Sequence, residues 1–161
     1  MGRVIKAEAL RTKGTVALAR WLLGKHLVRR RRDGSKEARM ITEVEAYHGE
    51  RDLASHARAG RTPRTAVMYA PGGRWYVYLC YGRHEMLNLV SGPRNWPAAV
   101  LIRSVEGITG PGRLTKALAI DRRLNGVPAA RAGGLWLEDR GVRVSRRLLR
   151  ATPRIGVDYA G

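Results

Sequence analysis

The run Glu43-Val44-Glu45-Ala46-Tyr47 sets two carboxylates and a phenol at alternate positions. Side chains alternate along an extended strand, so Glu43, Glu45 and Tyr47 share one face and Val44 and Ala46 the other. Paired acids on one face suit glycoside-bond hydrolysis, in which a carboxylate activates water or attacks C1 of a sugar. The plainer alternative is that both acids pair with nearby arginines on a solvated face. Rings follow downstream, in Ser55-His56 and in Tyr76-Val77-Tyr78-Leu79-Cys80-Tyr81-Gly82. Tyr76 and Tyr78 share a strand face. Tyr81 has the opposite parity, but beside Gly82, where the strand turns, its ring can project from the end. Strand tyrosines are commonly half-buried packing. Flat rings near basic residues also stack nucleobases, at roughly 1–3 kcal/mol per base. A ring at a turn tip can wedge into a duplex and hold open the gap left by a flipped nucleotide.

These acids stand out because the chain is strongly cationic, with 31 Lys+Arg against 13 Asp+Glu and a net charge of +18. Such a balance implies a polyanionic partner, with DNA or RNA the default. Most of the cations are arginine, which forks onto phosphates and stacks on bases better than lysine does. The run Arg29-Arg30-Arg31-Arg32 reads as a solvated hairpin end ahead of a DNA contact. The histidines (His26, His48, His56, His84) show no metal-ligand spacing, so no metal and no cofactor are expected. Cys80 is the only cysteine, which excludes an intramolecular disulfide and a cysteine zinc site and suits a cytoplasmic protein. No apolar run approaches the roughly 20 residues that span a bilayer, so no membrane partner is expected.

The elements that must position these residues follow from local pattern. The 161 residues fit a single domain spanning 1–161. Thr15 reads as the N-cap of a helix over residues 16–23, with Gly24 just past its end. A strand from His26 runs into the arginines, turns at Asp33-Gly34-Ser35 and returns over residues 38–47. Residues 48–62 form a polar loop, and Thr62-Pro63 opens a short helix. Strands are expected at 74–81, 85–90 and 98–105, a helix at 113–120, and short strands at 135–137 and 142–144. Neighbouring strands with a few short helices give an α+β fold on a curled, mostly antiparallel sheet.

Taken in order, these residues resemble a known family. Glu43 to Tyr47, Ser55-His56, Gly60-Arg61-Thr62-Pro63-Arg64, Met68, Tyr76 to Gly82, Leu87-Asn88 and Leu101-Ile102-Arg103 are similar to the alkyladenine (3-methyladenine) DNA glycosylases. This is the single-domain kind known from mammals and many bacteria. Leu22-Leu23-Gly24-Lys25, Gly110-Pro111-Gly112-Arg113-Leu114, Ala117-Leu118, Leu135-Trp136-Leu137 and the run from Arg154 to Gly161 extend the resemblance over nearly the whole chain. Each motif is weak alone; the ordered series is specific.

The resemblance implies a role for each matching residue. Glu45 is the general base that activates water for attack on the deoxyribose C1′, with Arg103 beside that water and the target nucleotide's backbone. Tyr47, His56 and Tyr78 are the walls that sandwich the flipped base. Asn88 crowds the pocket against the exocyclic amino group of guanine, and Tyr81 enters the duplex in place of the extruded nucleotide. With water as nucleophile, the enzyme is expected to be monofunctional, leaving an abasic site without cutting the strand. The expected partner is double-stranded DNA carrying alkylated or deaminated purines, bound by a monomer associated with the nucleoid. The sequence departs from the family in a shorter segment between Arg103 and Gly110, in Arg83 and Glu85 behind the wedge, and in having no Phe. Two other classes compete with this reading: a basic nucleic-acid binder without catalysis, and a hydrolase of free nucleosides. Glu45 separates the first from an enzyme, since a plain binder has no need of a carboxylate in a cationic, aromatic groove. The charge argues against the second through counterion release.

Overall fold

Alternation along three stretches puts every second side chain into one apolar layer. In the computed structural model, which describes residues 2–49, 51–52 and 55–152, they form β4 (Trp75–Cys80), β5 (His84–Val90) and β6 (Ala98–Val105). Trp75, Val77, Leu87, Leu89, Val100 and Ile102 lie in one cluster, each no more than 2% exposed. Helices α2 (Thr15–Leu22) and α3 (Pro111–Ala117) cover this face with Leu18, Leu22 and Leu114. The buried indole of Trp75 donates to the Leu135 carbonyl at 3.0 Å, which satisfies its one polar group.

The other elements are β1 (Arg3–Val4), α1 (Ala7–Arg11), β2 (His26–Arg30), β3 (Lys36–His48), β7 (Ile108–Thr109) and β8 (Leu135–Asp139). The sheet order is β1-β8-β2-β3-β6-β5-β4, with β7 on β6, and every described pairing is antiparallel. This is the α+β architecture expected from the strand pattern. Strand β3 is its spine. Residues 36–40 pair with β2 and residues 41–48 with β6, and the register slips on either side of Glu43. Such an irregularity bends a strand and re-aims its side chains, so it falls where the catalytic candidates begin.

Several boundaries differ from the sequence expectation, each for a tertiary reason. Thr15 is the first helical residue and Gly14 the N-cap. The Thr15 hydroxyl lies 3.3 Å from Ser91 Oγ instead, a buried pairing between distant segments. Helix α3 starts at Pro111, a residue suited to the first helical turn, and ends before Ala119, whose φ is 52°. Arg29 and Arg31 bind its last carbonyls: Arg31 Nη2 reaches Ala117 O at 2.7 Å, and Arg29 reaches Leu118 O at 3.1 Å and Ala119 O at 2.9 Å. Half of the arginine run is therefore a helix C-cap and not a solvated hairpin end. Residues 142–144 form no strand, because both edges of β8 are already taken by β1 and β2. The helix opened by Thr62 is a turn followed by the 3-10 helix Ala66–Tyr69, with Thr62 Oγ1 accepting from Thr65 N at 3.2 Å. The polar loop of residues 48–62 contains the 3-10 helix His56–Ala59. The family-like run from Arg154 to Gly161 lies outside the described residues. Among the described residues, no helix is long and apolar enough to cross a membrane.

Ile102 is fully buried under α2 and α3, so Ile102→Ala should lower the unfolding free energy by about 2–5 kcal/mol. Urea denaturation followed by tryptophan fluorescence measures this.

Candidate active site

The sheet face opposite the main core carries the candidate residues. Register pairs Tyr76 with Asn88, Asn88 with Leu101, and Leu101 with Glu45. These residues form one row across β4, β5, β6 and β3, each no more than 7% exposed. A second apolar cluster lies over the row: Ala57 and Met68, from the two 3-10 segments, pack with Tyr76, Val90 and Ala99, and Val67 and Tyr78 pack against them. The loop that looked merely polar in sequence thus closes one side of a buried site.

Glu45 is 7% exposed and has charged and neutral donors on its two oxygens. Arg103 Nη1 lies 3.1 Å from Oε1. Tyr47, two residues along the same strand face, donates its hydroxyl to Oε2 at 2.6 Å. A carboxylate offers about four lone-pair positions, so it can accept from several donors at once. Arg103 is itself held between two acids. Its Nε is 3.7 Å from Glu43 Oε1, which accepts from Ser104 Oγ at 2.8 Å; Ser104 Oγ in turn accepts from Gly110 N at 3.1 Å. The two carboxylates thus differ in setting. Glu45 is buried, while the Glu43 side chain is 44% exposed and helps fasten β6 and the segment after it.

His56, Tyr76 and Tyr78 form a ring cluster. The His56 and Tyr78 centroids are 4.5 Å apart at 66°, and the Tyr76 and Tyr78 centroids 5.4 Å apart at 35°. The Tyr76 hydroxyl pairs with His56 Nδ1 at 3.1 Å and so fixes the imidazole. Burial, then the nearby Arg64 guanidinium, holds the His56 pKa below its ordinary value, so the ring is neutral at pH 7. Burial pushes the Tyr76 and Tyr78 phenols up, so both stay protonated. Arg64 lies 5.3 Å from the Tyr78 ring centroid, within cation–π range.

The structure thus joins Glu45, Arg103 and Tyr47 by direct bonds, joins His56 and Tyr78 by ring contact, and sets Asn88 in the same row. Asn88 is 4% exposed and its Nδ2 donates to Tyr76 O at 3.2 Å, which ties β5 to β4 at the site. Tyr81 stands apart. It occupies the β4–β5 turn at φ 52° and is 93% exposed. A non-glycine residue in the left-handed region, with a bare ring, is an unfavourable choice for stability alone. Arg64 is a site residue that the sequence marks only as part of the run Gly60 to Arg64, and Tyr76 one that it marks only as a ring beside Tyr78. The role of Tyr76 as the anchor of His56, and the place of Arg64 over the Tyr78 ring, come from contacts between distant segments. Among the described residues, no three His, Cys, Asp or Glu side chains group in a way that could hold a metal ion.

A buried carboxylate held by arginine and tyrosine, in a ring-lined site on a cationic protein, is the equipment of an enzyme acting on nucleic acid. The comparisons narrow that class. The Methylpurine-DNA glycosylase family model matches residues 9–109 and 106–161. A Psychrobacter cryohalolentis protein described as "Putative 3-methyladenine DNA glycosylase" is 46% identical over 91% of this chain and 82% of its own length. An Anaeromyxobacter dehalogenans protein with the same description is 45% identical over 96% of this chain and 76% of its own. One from Methanocella arvoryzae, also so described, is 44% identical over 91% and 82%. The chain belongs to the methylpurine-DNA glycosylase family. It is a DNA glycosylase, a hydrolase of DNA repair whose substrate is DNA, which sets aside the non-catalytic binder.

The lowered His56 value has a consequence for stability. Between the folded value and the unfolded value of about 6.5, the folded state binds fewer protons. That contribution is intact above about pH 6.5 and is lost as pH falls through the interval. Unfolding free energy measured in urea should therefore decline from about pH 6.5 downward. Above about pH 5, where carboxylates stay ionised, His56→Phe should flatten the decline and leave the part due to His26, whose pKa burial also lowers.

Proposed function

We propose that this glycosylase turns alkylated or deaminated purines out of duplex DNA and hydrolyses their N-glycosidic bond with water activated by Glu45. The observation that carries the reading is the Glu45 setting: a buried carboxylate bonded by Arg103 and Tyr47 in the row that includes Asn88. As the base departs, the sugar gains oxocarbenium character, which an adjacent carboxylate stabilises. Glu45 takes a proton from the water, whose oxygen bonds to C1′ while the C1′–N bond breaks and its electrons leave with the purine. Arg103 orients the carboxylate and faces the water and the target nucleotide's backbone.

Alkylation makes many purines cationic, and the rings of Tyr47, His56 and Tyr78 attract such a base through their π faces. A neutral His56 avoids charge repulsion with it. Asn88 narrows the pocket against guanine's exocyclic amine. Tyr81 fills the gap in the stack, and its exposed tip position supports that role. Among the described residues, Glu45 is bonded by a guanidinium and a phenol, from Arg103 and Tyr47. Neither is an amine that could form a Schiff base with the sugar, and with water as the nucleophile the product is an abasic site on an uncut strand. Residues 1–161 act as one catalytic domain, as a monomer on one DNA site in the nucleoid.

Glu45→Gln should slow single-turnover release of 3-methyladenine by about 10²–10⁴-fold while duplex affinity is kept; release at the parent rate would remove Glu45 from the mechanism. On duplexes with one defined lesion, breaks should appear only after alkali treatment. Tyr81→Ala should leave the melting temperature within about 2 °C of the parent, because the ring is exposed. It should cost roughly tenfold or more in excision from duplex, a loss of about 1–3 kcal/mol of stacking, with a smaller loss on single strands.

A further inference from the structure

Beside the catalytic face lies a separate cleft of about 370 Å³, open to solvent. Arg61, Arg74 and Arg94 line it, with Tyr69, Asn95 and Gly126 among the other lining residues and no acid. None of these arginines joins an ion pair among the described residues, whereas Arg31, Arg39, Arg103, Arg122, Arg123 and Arg140 each do. Among the described residues the cleft therefore concentrates positive charge that no acid neutralises.

Its walls are tied together by backbone. Asn95 N donates to Tyr69 O at 2.7 Å and Gly126 N to Trp75 O at 2.8 Å. Arg74 spends one N–H on Gly126 O at 2.8 Å, and a guanidinium carries five. Arg61 lies 5.6 Å from the Tyr69 ring centroid, which restrains it near the floor. A restrained arginine loses less entropy on taking up an anion than a free one does. The floor also touches the catalytic side: Val67 lines the cleft and packs against the cluster that holds Tyr76 and Met68. The ligand class that fits is an oxyanion on a partly apolar body. Because the substrate is DNA, a strand phosphate with its sugar is the available form of that chemistry.

We infer that this cleft is a second DNA-binding seat, in which Arg61, Arg74 and Arg94 take a backbone phosphate of the strand outside the base pocket. The seat adds affinity without touching the reacting atoms, and it rests only on DNA being the substrate, not on the role of Glu45. The test is the salt dependence of binding to lesion-free duplex, for the parent protein and for the double variant Arg74→Ala, Arg94→Ala. Both residues are exposed, so folding should be kept, which a melting curve checks. The slope of log affinity against log salt should flatten by about 0.9 for each phosphate that the variant no longer neutralises, and affinity at moderate salt should drop about tenfold. The single-turnover excision rate at saturating DNA should stay at the parent value. A charge-matched control, Arg143→Ala with Arg147→Ala, removes two exposed cations outside the cleft. If the control flattens the slope equally, the effect is one of net charge and the seat is refuted. Calorimetry with inorganic phosphate and with a mononucleotide supplies the other arm. Binding of either to the cleft with no change in the DNA salt slope of the double variant would make it a free-anion site and overturn the proposal.

Discussion

An ionised carboxylate cannot be buried without partners, and that constraint organises this molecule. Glu45 is 7% exposed in a sheet whose opposite face is a closed apolar core. Arg103 and Tyr47 give that charge partners, and a buried charge left unpaired costs several kcal/mol. Arg103 in turn lies against Glu43, whose carboxylate is itself held by Ser104, which accepts from Gly110 N. The register irregularity of β3 at Glu43 falls where the two acids must take different settings, one enclosed and one half-open. A strictly regular strand would present both acids to the same environment.

The cations divide in a similar way. A charge of +18 invites the view that every arginine faces DNA, yet Arg29 and Arg31 serve the fold. They bond the last carbonyls of α3, which would otherwise lack partners at a helix end. Arg103 neutralises Glu45, and Arg64 sits over the Tyr78 ring and adds to burial in keeping His56 uncharged. The charge left over for a polyanion is therefore smaller than the formal count and is placed unevenly, with the cleft of Arg61, Arg74 and Arg94 among its concentrations. Net charge governs attraction at long range. Only uncompensated charge at a defined place can select a binding pose.

Strand tyrosines illustrate how one residue type is turned to different ends. Tyr76 is buried and anchors His56; Tyr78 is half-buried and closes the ring cluster; Tyr81 is bare at the turn. The change comes from strand parity and from the turn at Gly82, whose φ of 64° follows Tyr81 at 52°. Two consecutive left-handed residues end the strand abruptly and leave the ring with nothing to pack on.

The sequence by itself determined the long strands of the core and their faces, because alternation is a local property that is clear over 75–80, 84–90 and 98–105. It also determined that Glu43, Glu45 and Tyr47 share a face, and that Tyr81 sits at a turn. The ordered motifs were enough to point to the family. Only the tertiary structure decided which of the two acids is buried, because that depends on β6 lying beside β3 with a slipped register. It alone decided that Arg29 and Arg31 cap a helix end 86 to 90 residues away in sequence, that residues 142–144 find no strand edge, and that three arginines from separate segments meet in one cleft. Each of these is a contact between distant parts of the chain. Local propensity carries no information about such contacts until the core has closed and brought them together.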